Sequence, residues 1–214
     1  SSELIKNIVI IPYNDIKKTK KILDRSKKNL SCIIIEPVQG SLPYDGIKKY
    51  LKFLENYSKR NSILLIFDEM ITGLRTNCSS AQKFFDIKPD ISIFGKCFGA
   101  GLPLGLITIS KKTFKKMKNL KQNVFFGGTY SGNSIVTYVA NEVLNYILAH
   151  KKKIFQDLDN KSEFFEDQLN KFFQSKKLDL KIYRFKSLLR LVYSKSNLKD
   201  RSARDFFEKN KYSK

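Results

Sequence analysis

Three apolar runs in this 214-residue chain end on residues able to do chemistry: Glu36 after CIII, Asp68 and Glu69 after ILLIF, and Lys96 after ISIFG. In open parallel sheets ligands gather at the carboxyl ends of the strands. An acid and a lysine leaving neighbouring strands would therefore share one cleft. Asp68 and Lys96 are 28 residues apart, about the length of one strand-helix-strand unit. The plain reading of such a pair is a structural ion pair. The chemical reading is sharper. A lysine that forms a Schiff base must offer an unprotonated amine, which a partly desolvated cleft favours. An aspartate set against a pyridine nitrogen keeps it protonated, so that the ring draws electrons from a substrate carbon. The two roles need opposite ends of one ring.

Other residues cluster around this pair. Gly99, Gly101 and Gly105 in GKCFGAGLPLG permit tight turns and close approach of backbone to a ligand. The segment FFGGTYSGN at 125–133 brings Thr129, Ser131 and Asn133 to the start of a long helical pattern. Ser131 or Asn133 could simply cap that helix. Free N–H groups with a hydroxyl would equally suit a phosphate. Arg75 could bind a carboxylate or pair along a helix. The sole histidine, His150, ends a helix beside three lysines, where its charge suits the helix dipole.

The elements that must position these residues follow from hydrophobic period. Runs at 8–11, 32–36, 63–69 and 91–95 read as buried strands, and 14–29, 46–60 and 80–86 have helical spacing. Alternation of strand and helix predicts a parallel sheet with crossover helices. The run at 106–110 is expected as an antiparallel or edge strand. From Asn133 one or two long helices follow, then a strand candidate at 188–193 and a charged final helix. The expected organisation is a major domain over 1–150, a connecting helix over 151–177, and the start of a small C-terminal α+β domain over 178–214.

Bulk composition narrows the partners. Hydrophobic residues make up 42% of the chain, enough for a real core. Cys32, Cys78 and Cys97 show no CxxC spacing, so neither a disulfide framework nor a metal site is expected. No run reaches bilayer length, and a cytoplasmic protein is expected. The net charge of +21 comes mostly from lysine, 34 Lys against 7 Arg, scattered in short groups. Readers of nucleic acid lean more on arginine and interleaved aromatics, so solvated lysine-rich surfaces are the expectation.

Taken in order and spacing, IIIEPVQG, LLIFDEMITGLR, AQKFFDIKPDISIFGKCFGAGLPLG and GGTYSGN resemble the class III aminotransferases of fold type I, among them the glutamate-1-semialdehyde 2,1-aminomutases. The resemblance is strong over residues 31–150. It implies a three-layer α/β/α fold with a mostly parallel sheet, and pyridoxal 5'-phosphate as cofactor. It implies that Lys96 is the Schiff-base lysine and Asp68 the partner of the pyridinium nitrogen. Met70 falls where a valine packed on the ring is usual, and Thr129 matches a threonine that reaches the cofactor phosphate of a neighbouring subunit, implying a homodimer with shared sites. Glu36 and Gln39 lie in the EPV motif as structural support.

The implied activity is amino-group transfer on a small amino substrate, in an aminomutase or a transaminase version. A different possibility is a non-catalytic remnant whose basic surface binds anionic partners; the intact Asp68, Lys96 and Thr129 argue against it. Two positions depart from the family pattern: Ser134 stands where proline is common, and Lys186 where a glycine is expected. The cofactor-phosphate loop and ring-stacking aromatic of the pattern are absent from these 214 residues, and the chain begins at Ser1. An internal piece of a longer enzyme is the expectation, one whose activity in isolation does not follow from its motifs.

Overall fold

Asp15 starts the first helix, α1 (Ile16–Ser26), by accepting a hydrogen bond from the Lys18 amide at 2.9 Å, the usual service of an aspartate cap. In the computed structural model, residues 6–76, 79–119, 127–129, 131–194, 198 and 204–205 are described. β1 (Cys32–Ile35), α2 (Lys48–Asn61), β2 (Leu64–Asp68), α3 (Ala81–Phe85), β3 (Ile91–Gly95) and β4 (Gly105–Ile109) follow. Then come α4 (Lys111–Lys118), α5 (Ser134–Ser175), β5 (Leu180–Phe185) and β6 (Leu188–Tyr193).

The main sheet has the order β1-β2-β3-β4, with the first two pairings parallel and the last antiparallel. This is the mostly parallel α/β architecture expected, with 106–110 as its antiparallel edge. Parallel neighbours require crossovers, and α2 and α3 supply them. The inward residues Ile33, Ile35, Leu65 and Phe67 pack on Tyr50, Leu51, Leu54 and Tyr57 of α2. Those four recur at the helical spacing that makes one apolar stripe. The opposite face of the sheet is apolar too, yet Ile34 is 59% and Ile107 64% exposed.

Asp90 fastens the sheet's middle: its carboxylate accepts from the Leu65 amide at 3.0 Å and from Thr113 Oγ1 at 2.9 Å, joining β2, β3 and α4. α5 is a single helix of 42 residues, and the β5–β6 hairpin packs on it. Arg184 secures that contact through Asp159 at 2.8 Å and Glu166 at 2.7 Å. Phe185 reaches the main core, stacking on Phe85.

Three local expectations need correction. Residues 8–11 form no strand; Ile10 is 85% exposed, and Pro12, which cannot donate to a ladder, follows the run. What holds this segment is the Pro12 carbonyl, which accepts from Thr19 Oγ1 at 2.9 Å and from the Tyr50 hydroxyl at 3.1 Å. β5 was not anticipated because Lys181 and Arg184 interrupt its apolar residues. α4 was hidden in a lysine group and buries only Thr113, with Ser110 as its cap. The charged final helix expected at the C terminus lies largely outside the described residues.

Candidate active site

Asp68 closes β2 and is half-buried; it pairs in register with Ile93, three residues before Lys96. At about 3.3 Å per residue and about 4.8 Å between strands, the two backbones stand roughly 11 Å apart. Asp68 Oδ1 accepts from the Met70 amide at 3.1 Å, which turns the chain sharply out of the strand. Lys96 opens a 3-10 turn, Lys96–Gly99, with φ of 50°. This left-handed conformation is uncommon for a residue with a Cβ and is typical of functional positions. Lys96 is exposed, so the described residues do not supply the desolvation anticipated from sequence.

Met70 lies across the end of β3. A methyl group on Gly95 would come within 2.7 Å of Met70 Sδ and Cε and 3.0 Å of the Leu104 carbonyl. The glycine before Lys96 is therefore a space requirement, and it seats the thioether beside the lysine's backbone. Asp68, Met70 and Lys96 are thus brought together. Thr129 is not joined to them: it is exposed, in a turn where the Gly128 carbonyl accepts from the Ser131 amide at 2.9 Å. Asn133 caps α5 by accepting from the Val136 amide at 3.1 Å.

Glu69, which the sequence marks as a strand-end acid without assigning it a role, is an anchor of the turn. It is fully buried, and its carboxylate accepts from Thr72 Oγ1 and the Ala81 amide at 2.7 Å and from the Gln82 amide at 2.8 Å. Its own amide donates to the Ile93 carbonyl at 2.8 Å. Burial, the largest influence, raises its pKa above the ordinary carboxylate value against the pull of these donors. Glu69 thereby pins the turn after Asp68 to the start of α3. The signal available in sequence was an acid directly after an apolar strand, but Asp68 claims that signal first.

Glu36 closes a small loop by accepting from the Gly40 amide at 3.0 Å, and Tyr13 donates to the Glu36 and Pro37 carbonyls at 3.3 Å. Arg75 donates from Nε to the Ile71 carbonyl at 3.4 Å. His150 stacks on Tyr146 in mid-helix rather than at a helix end. Among the described residues no group of three or more His, Cys, Asp or Glu could hold a metal, and no helix is long and apolar enough to cross a membrane.

The fold is a mostly parallel α/β sheet with Asp68 and Lys96 at adjoining strand ends. The chain belongs to the aminotransferase class-III family, whose pattern matches residues 5–192. It is 32% identical over 194 residues to a glutamate-1-semialdehyde 2,1-aminomutase of Methanococcus maripaludis, covering 90% of this chain and 44% of the relative. To the protein of that name from Thermosipho africanus it is 31% identical, covering 92% of this chain and 46% of the relative. The chain thus spans somewhat less than half the length of these curated relatives.

In fold it is similar to an omega-transaminase from Sphaerobacter thermophilus, with a TM-score of 0.83 over 92% of this chain and 45% of that one, at 20% identity. It is similar as well to a glutamate-1-semialdehyde-aminomutase from Pseudomonas aeruginosa solved in complex with PMP, with a TM-score of 0.71 over 88% and 43% at 16% identity.

Proposed function

We propose that the protein takes part in pyridoxal-phosphate-dependent amino-group transfer on a small amino substrate, of the glutamate-1-semialdehyde 2,1-aminomutase kind. The observation that carries this reading is the placement of Asp68 at the end of β2 and of Lys96 just past the end of the neighbouring β3, with Met70 against Gly95. The donor set fits the cofactor: a carboxylate for a ring nitrogen, an amine for an aldehyde, and a glycine-made seat. The names borne by the curated relatives favour the aminomutase version over a transaminase.

When bound, the cofactor supplies an electron sink for the bonds broken at the substrate carbon. Lys96 would hold its aldehyde carbon covalently, and its freed Nζ would then take the proton from the substrate carbon and return it. Asp68 would accept the hydrogen bond of the ring N–H and keep that proton in place. Met70 would lie along the ring, its thioether adaptable to the plane. Thr129, exposed ahead of α5, would serve the phosphate bound in a neighbouring subunit, which makes the working unit a homodimer. We further propose that the small C-terminal domain begins near residue 178, and that the protein works in the cytoplasm.

The test is to incubate the chain with pyridoxal phosphate, reduce with borohydride and map the labelled peptide by mass spectrometry. Label at Lys96 that vanishes in Lys96→Ala is expected. Label scattered over surface lysines, unchanged by that substitution, would overturn the reading.

A further inference from the structure

Apart from the strand-end site, Arg75, Lys152, Asp159, Lys186 and Ser187 line one cavity of about 320 Å³. Its walls come from three places: the turn after β2, the middle of α5 and the tip of the β5–β6 hairpin. Three of these side chains are cationic and one is acidic. The acid is already engaged on both oxygens, Asp159 Oδ1 by Arg184 and Oδ2 by Lys186, each at 2.8 Å.

Arg75 and Lys152 have no carboxylate partner among the described residues, and Arg75 donates from Nε to the Ile71 carbonyl, which leaves both terminal nitrogens available. The Ser187 hydroxyl oxygen is buried and makes no hydrogen bond. Lys186 holds φ of 54°, a conformation that glycine adopts freely and lysine resists. A bound anion would meet the orphaned hydroxyl and both cations at once, since charge-assisted bonds to a tetrahedral oxyanion suit Arg, Lys and a hydroxyl.

We infer that this cavity is a binding site for a phosphate group, carried either as the free ion or as a phosphomonoester. Arg75 and Lys152 supply the fork and the point charge, Ser187 donates its hydroxyl proton, and Lys186 bridges the anion to Asp159. Because the three walls belong to separate elements, occupancy ties the hairpin to α5 and to the turn that follows Asp68.

The test is calorimetric titration of the full chain, at fixed ionic strength, with inorganic phosphate and separately with glycerol 2-phosphate. One saturable site is expected; tighter binding of the first ligand identifies the free ion as the occupant, tighter binding of the second the ester. Arg75→Gln weakens binding about tenfold or more. Lys186→Gly weakens it likewise while giving the turn its preferred residue, so a thermal melt confirms that the loss is not unfolding. Lys20→Gln, on the exposed face of α1 where the lysine pairs with Asp24, leaves it unchanged. Uptake that never saturates, or that in Arg75→Gln or Lys186→Gly equals that of the unsubstituted chain, overturns the proposal.

Discussion

Two buried glutamates are expected to titrate with opposite consequences. Glu69 carries a raised pKa, so its folded form holds a proton more readily than the unfolded chain. Its stabilising share is complete below the ordinary carboxylate range and is lost as pH rises from there through the folded value. Glu55 is 2% exposed; burial pushes its pKa upward, but hydrogen bonds from Lys52, Lys59 and the Lys88 amide outweigh it and hold it low. Its share is present above the ordinary range and lost as pH falls through the folded value. Urea melts should show the cost of Glu55→Gln, about 1–3 kcal/mol at neutral pH, shrinking on acidification, while that of Glu69→Gln grows. At Gly95, Ala should weaken pyridoxal-phosphate uptake about tenfold by displacing Met70. The double variant with Met70→Ala should recover part of it in a fluorescence titration. Asp68 and Lys96 could be named from sequence as a candidate pair because ligands gather at strand ends in parallel sheets. The anchoring part of Glu69 could not, because its partners, Thr72 and the amides of Ala81 and Gln82, are assembled only by the turn itself.

Among the elements, the β5–β6 hairpin is tied to α5 through Arg184, whose side chain is 19% exposed between Asp159 and Glu166. Arg184→Met removes the charge while keeping the stem, and leaves the two acids without their shared cation. Faster amide exchange across Leu180–Phe185 is expected, with exchange in β2 unchanged; uniform change throughout would mean that the hairpin and sheet open as one unit. The same hairpin marks where sequence reading stopped. β6 reads as a strand from LLRLVY, whereas β5 mixes Lys181 and Arg184 among its apolar residues; the α5 acids Asp159 and Glu166 make the Arg184 charge compatible with packing, and Lys181 lies over the Tyr183 ring. Conversely, the run at 8–11 has ideal strand composition but no strand alongside it. Composition registers a residue's preference and is silent on whether a neighbour exists.

For the whole chain, a parallel sheet with crossover helices followed from the alternation of strand and helix, and the run at 106–110, expected as an antiparallel or edge strand, is both. What no periodicity announces is that one apolar face of the sheet stays open, with Ile34 and Ile107 at the surface. Patches of this kind bind hydrophobic dyes and other apolar surfaces. Ile34→Lys with Ile107→Lys should abolish most anilinonaphthalene sulfonate fluorescence while moving Tm by less than about 4 °C; a Tm collapse would place these residues in the core instead.

The 42-residue helix α5 has a mechanical meaning of its own. At 1.5 Å per residue it is a strut about 63 Å long. Near its far end Asn170 clamps Ile182 from both sides, at 2.7 and 3.2 Å, while along its length it touches the Lys96–Gly99 turn and at its start it adjoins the Thr129 turn. A tilt of about 5° about its midpoint would carry each end through about 3 Å, on the order of one hydrogen-bond length. On such a tilt the hairpin at one end and the turn at 127–129 ahead of the other swing through equal and opposite arcs, so a nudge at one is carried to the other.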